Sequence, residues 1–147
     1  MMSDNLHDLH GASGTDAAVG YCLLRGTMGI NFLFHSFTRW ADMSRFINTL
    51  VADFAHTPLP IWSVKAFAYG IPIWEPLLGA LLVLGLFTRA ALIAGAILIC
   101  FLVFGTAIRG DFSVLTQQMI YALIFFVLIY FRAEHDRFGV DAWRASS

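Results

Sequence analysis

Residues 77–108 read LLGALLVLGLFTRAALIAGAILICFLVFGTAI, and Arg89 is the only charged side chain among them. The hydrocarbon core of a bilayer is crossed by about 20 apolar residues in a helix. This run is therefore too long for one crossing and fits the joined parts of two. Backbone groups in lipid must find their partners inside the protein, so both halves are read as helices. Phe87-Thr88-Arg89 is the short turn between them, which makes the pair a tight antiparallel hairpin. The two windows run from Val64 to Phe87, interrupted by proline, and from Arg89 to Ile108.

Two further windows qualify, one on each side of this hairpin. A span from Phe112 to Phe131 follows the tight turn Arg109-Gly110-Asp111, and a first span runs from Ala17 to Thr38. The link from Arg39 to Ser63 is long. In it Met43, Phe46, Ile47, Leu50, Val51 and Phe54 recur at helical spacing, with Asp42, Arg45, Asn48, Asp53 and His56 between them. That pattern is an amphipathic helix suited to the membrane interface, ended by Thr57-Pro58-Leu59-Pro60. Trp40 and Trp62 flank it, where interfacial aromatics belong. The expected fold is all-α: an integral membrane four-helix bundle with an interfacial amphipathic helix between helices one and two. Residues 17–132 form the transmembrane domain. Residues 1–16 read as a disordered polar tail, and 133–147 as a polar C-terminal tail.

Composition agrees. Of 147 residues, 59% are hydrophobic and 13% charged, and mean hydropathy is +0.72. A soluble surface calls for about 25% charged residues. The net charge of −1 and pI near 6.5 leave no basic stripe for nucleic acid. Cys22 and Cys100 form no CxxC pair, which argues against a disulfide framework or zinc site. Each reads as a small apolar packing residue. The opening MMSDNLHDLHGASGTD has no basic residue, so it is not a secretory signal. His7 and His10 lie in it; a solvated tail is the ordinary reading and a metal site the rarer one. No metal, haem or flavin motif is visible.

Four spans place both termini on one side. Arg89, Arg132, Arg137 and Arg144 fall on that side, and Arg39, Arg45, Lys65 and Arg109 on the other. The cluster just after the last span favours termini in the cytoplasm, and the chain is read as a protein of the bacterial inner membrane.

Ionisable groups inside spans are costly and turn towards the bundle interior. With Arg25 at zero on an ideal wheel, Asn31 falls near −120°, His35 near −80° and Arg39 near −40°. Helix one therefore carries a polar stripe. Arg39 is expected to snorkel to the interface. Arg25 lies deeper, about 12 Å into the span by its position, and needs a partner. Glu75 is the only carboxylate in the apolar part of any span, so an Arg25–Glu75 ion pair is expected, either architectural or functional. Residues before proline avoid the α region, so Glu75-Pro76 is expected to break helix two and expose a half-helix N-terminus. Gln117 and Tyr121 share a face of helix four, where amides also serve as interhelical glue.

Two stretches resemble the DoxX/DoxD-like membrane proteins. One is LRGTMGINFLFH (residues 24–35) followed by Arg39; the other is EPLLGALLVLGLFTR (residues 75–89). The arginine, the histidine, the glutamate and the "lGlfTR" turn all match the family pattern. Ser36 departs from it, where glycine is usual, as does arginine at 39, where lysine is common. The resemblance spans roughly residues 20 to 132. It implies a four-helix membrane bundle and, from the name-giving members, a subunit of a thiosulfate:quinone oxidoreductase. The implied site is a polar pocket for a quinone headgroup or small anion. Glu75 and His35 would be its catalytic groups, His35 relaying protons near neutral pH, with Arg25, Asn31, Gln117 and Tyr121 binding substrate. Electrons would have to come from a partner, so a larger membrane or redox complex is implied. Two other readings stay open: a non-catalytic accessory subunit of such a complex, and a small transporter.

Overall fold

The computed structural model describes the backbone of residues 2–146 and the side chains of 14–145. Its helices among these residues are α1 (Met2–Ala41), α2 (Met43–Asp53), α3 (Ile61–Leu84), α4 (Thr88–Arg109), α5 (Phe112–His135) and α6 (Val140–Ser146). Four of them, α1, α3, α4 and α5, are long and apolar enough to cross a membrane. The all-α, four-helix membrane bundle is as the sequence indicated.

α1 packs most extensively on α3, and α4 on α5; α1–α5 and α3–α4 contacts close the ring. Met28 and Phe32 of α1, Leu78 and Leu82 of α3, Leu92 and Ile99 of α4, and Phe125 and Leu128 of α5 fill its centre. Lipid is as apolar as leucine, so helices in it associate by close packing, which small residues permit. Gly29 and Gly79 mark such an approach. A Cβ on Gly29 would lie 2.7 Å from the Gly79 carbonyl oxygen, and one on Gly79 would lie 2.7 Å from that of Gly29. Gly95 likewise admits the Phe125 ring to within 2.6 Å of where its Cβ would be.

α1 begins at Met2, so the stretch expected as a disordered tail, residues 1–16, falls within the helix wherever its backbone is described. Extending a nucleated helix costs little, and no proline stops it. His7 and His10 lie outside the residues whose side chains are described.

α3 is continuous through Pro72 and Pro76, so the expected break at Glu75-Pro76 does not form. Pro76 has no N–H to give the Pro72 carbonyl one turn earlier. The Trp40 indole N–H donates to that carbonyl instead, at 3.0 Å. A neighbouring helix thus satisfies the freed group, which is how membrane helices tolerate proline.

The polar C-terminal segment bonds back to the bundle. After α5 the chain turns back beneath the termini-side end of the bundle. The Asp141 carboxylate accepts from the Phe87 and Thr88 N–H groups at 3.0 and 2.8 Å, capping α4. Phe87 there has φ 48°, the one non-glycine residue in the left-handed region among the described residues.

Candidate ligand cavity

The two membrane arginines of α1 take partners other than those expected. The expected Arg25–Glu75 pair is absent. Arg25, 2% exposed, donates Nη1 to Asp136 Oδ1 at 2.5 Å and Nη2 to the Phe138 carbonyl at 2.6 Å. Its guanidinium lies against Gly85 and Gly139, where a Cβ would collide with it. Glu75 is ten residues back along α3 from Gly85, about 15 Å of helix rise, and so stands at a different depth. Both charges lie in apolar spans, which is the ground for expecting the pair; their heights along antiparallel helices separate them. Arg25 is thus a staple between α1 and the C-terminal segment, enclosed and out of reach of a substrate.

Glu75, buried at 3% exposure, pairs with Arg39 Nη1. Arg39 therefore does not simply snorkel to the interface. Its guanidinium also stands 5.1 Å from the centre of the Phe46 ring, a cation–π distance. One arginine thus joins α1, α3 and α2.

Arg39 borders a cavity of about 480 Å³ at the end of the bundle away from the termini. This volume is in the ordinary range for small-molecule sites. α2 supplies Phe46 and Leu50 to its wall, and the residue that follows it supplies Phe54; Phe67 and Ile71 come from α3, and Phe101 and Leu102 from α4. The apolar face of the amphipathic helix is therefore turned to the bundle, where it roofs the cavity. α2 is capped at its start and tied to α4 at its end. The Asp42 carboxylate caps its first turn through the Arg45 N–H at 2.9 Å. Arg109 bonds Asp53 at 2.9 Å and lies 5.5 Å from the Phe54 ring centre. Gly105 makes room for Phe54, whose ring lies 3.2 Å from where a Cβ would be.

The polar groups bordering this apolar space are few: Arg39, Ser63, Thr106, Arg109 and Gln118. The Ser63 hydroxyl is spent on the Pro60 carbonyl at 2.7 Å. Gln118 is 8% exposed, and its Oε1 is buried with no hydrogen-bond partner among the described residues. An unsatisfied buried amide costs about 1–3 kcal/mol, so a group that bonds it would recover that cost.

Of the six residues singled out from sequence, none lines the cavity directly. Glu75 reaches it through Arg39. His35 and Gln117 are exposed on the outer surfaces of α1 and α5, while Asn31 and Tyr121 are partly buried, Tyr121 against the core. Gln118, one position from the residue chosen, is the amide that faces inward. Sequence reading assigned Arg39 and the aromatic face of α2 only an interfacial role, and of the α5 amides it favoured Gln117 over Gln118. The face of α2 carried a signal in its period, but nothing in the period says that the face turns to a cavity.

A family model described as DoxX matches residues 20–111. No curated protein and no solved structure matches the chain.

Proposed function

The chain belongs to the DoxX family, and from that premise we propose that it is the membrane subunit of a quinone-linked oxidoreductase, with the quinone headgroup held in the α2–α5 cavity. The termini would then lie in the cytoplasm of a bacterial cell. The observation that carries the reading is the unpartnered Gln118 Oε1 across an aromatic-lined space from the Arg39 guanidinium. A quinone accepts two electrons and two protons, and a partner subunit would supply the electrons. The residues here do the binding. Arg39 offers N–H donors to a quinone carbonyl. The Gln118 carboxamide carries both a donor and an acceptor, so it suits the carbonyl of the oxidised form and the hydroxyl of the reduced one. Phe46, Phe67 and Phe101 exclude water and give the ring flat faces. Glu75 acts through Arg39 by fixing its guanidinium, which makes Glu75 a positioning residue.

The test is the quinone content of protein extracted gently from its native membrane, followed by titration with a soluble quinone. Gln118→Leu should weaken binding about tenfold, since one hydrogen bond to a neutral group is worth about 1 kcal/mol or slightly more. It should not lower the melting temperature, because an orphan polar atom is removed. Quinone binding unchanged from wild type in both Gln118→Leu and Glu75→Gln would sink the assignment.

One observation favours a second reading, an accessory subunit packed on a larger complex. His35 and Gln117 project from the outer faces of membrane spans, where lipid cannot satisfy them. Protein–protein crosslinks through those two positions, with no quinone bound, would support that reading instead.

A further inference from the structure

The cavity is not closed towards the bilayer. A groove of about 550 Å³ runs between α3 and α4, two helices that pack on each other less extensively than α1 on α3 or α4 on α5. Groove and cavity share Ser63, Phe67, Ile71 and Phe101 in their walls. The rings of Phe67 and Phe101 stand there with centres 6.3 Å apart, tilted by 56°. Beyond them the small residues Ala66, Gly70 and Ala94 leave room. Trp62 and Trp74 border the groove and are largely exposed, at 74% and 57%. The hydroxyl of Ser63 is already bonded to its own helix, and the rest of the lining is almost wholly hydrocarbon. A polar ligand would find nothing to bind here, whereas a hydrocarbon chain would fit.

We infer that the α3–α4 groove seats the tail of the ligand whose head lies in the cavity, and that the ligand enters sideways from the bilayer past Phe67 and Phe101. The ligand class is then a tailed lipophile, an isoprenoid quinone, and not a tailless ring or a free inorganic anion. The identity of the head rests on the quinone reading above; the seat of the tail rests on the continuity of groove and cavity. A tail that leaves lipid for this groove gains no hydrophobic free energy, because lipid is equally apolar. It gains contact with aromatic rings and a fixed line of approach. Tail position, not affinity, is therefore the observable that decides.

The experiment uses the full chain in lipid nanodiscs with two photoreactive probes. One is a benzoquinone with an unbranched alkyl tail ending in a diazirine; the other is a fatty alcohol of the same length with the same diazirine. Adducts are mapped by mass spectrometry after irradiation. The quinone probe should label Ala66, Trp74, Ala94 and Ile97, and excess unlabelled tailed quinone should displace it. Ala94→Phe, which fills the groove, should cut that labelling several-fold in protein that melts at the wild-type temperature. Ala66→Leu provides a second filling from the other wall. Adducts spread over α1 and α5, or labelling indifferent to both fillings, would overturn the tail seat. Displacement by tailless quinone would in that case still uphold the headgroup site. Groove labelling by the alcohol as strong as by the quinone, with no displacement by tailless quinone, would mean that ordinary lipid chains fill the groove and would overturn both the tail seat and the quinone reading.

Discussion

Arg39 and Glu75 set the chemistry of the cavity wall through the asymmetry of their surroundings. The Glu75 side chain is 5% exposed and that of Arg39 20%, and Arg39 alone has a second support, the Phe46 ring. Breaking a buried pair by removing one member leaves the other charge uncompensated. Arg39→Gln leaves the more deeply buried group behind, so it should be the costlier single change, at about 3 kcal/mol. Glu75→Gln should cost less, because the arginine retains its ring contact and some exposure. The double variant should cost less than the two singles summed, since it leaves no unpaired charge. Thermal unfolding of all four proteins in one detergent measures the cycle. Strictly additive losses would mean that the pair contributes nothing as a pair, and Glu75 would lose its positioning role.

Helix contacts in this bundle depend on where side chains are missing as much as on where they are present. Gly29 and Gly26 lie one turn apart on α1 and differ in what a methyl group would meet. At Gly29 it would strike the Gly79 carbonyl at 2.7 Å and the Val83 nitrogen at 2.9 Å, both backbone; at Gly26 it would meet nothing within 4 Å. Gly29→Ala must push α1 off α3 and should destabilise by about 1–3 kcal/mol. Gly26→Ala should be neutral or stabilise by up to about 1 kcal/mol, the helix preference for alanine. Melting curves of the two variants decide it, and similar shifts would show that the α1–α3 approach is not as close as described. The elements themselves were legible in the sequence, because a span needs only length and apolarity. α2 was legible from its period, and its observed bounds, Met43–Asp53, fall inside the amphipathic stretch. The break at Pro76 was misjudged because proline's cost depends on a group elsewhere in the chain, here the Trp40 indole. The site was only half legible for a related reason. The sequence shows that a buried arginine needs a partner but not which carboxylate stands at its level in the packed bundle, and that level decided that Arg39, not Arg25, met Glu75. Gln118 was missed by one residue, a rotation of about 100°, which separates the inner face of α5 from its outer one.

At the scale of the whole molecule the two ends of the bundle are built for different tasks. The end away from the termini is open, with a roof helix, a cavity and a groove to the lipid. The termini-side end is tied shut by the C-terminal segment. That segment holds the first span through Arg25 and Asp136, and it holds the turn between α3 and α4 through Asp141. The Asp141 backbone N–H also donates to the Gly85 carbonyl at 3.0 Å. The C-terminal segment thus adds polar ties across one end of a ring whose helices otherwise meet mostly by apolar packing. Asp136→Ala strands the buried Arg25 charge and should cost about 3 kcal/mol. Asp141→Ala uncaps α4 and should cost about 1 kcal/mol, the usual value of an N-cap. Replacing both Arg25 and Asp136 by leucine should cost less than Asp136→Ala alone, since no charge is left without its counterpart. Hydrogen exchange over residues 136–145 distinguishes the two functions of the segment. Both single variants should free α6 to exchange, but Asp136→Ala should also raise exchange in α1 near Arg25. If α1 stays protected in Asp136→Ala while α6 opens, the segment is an appendage, and the bundle closes by helix packing alone.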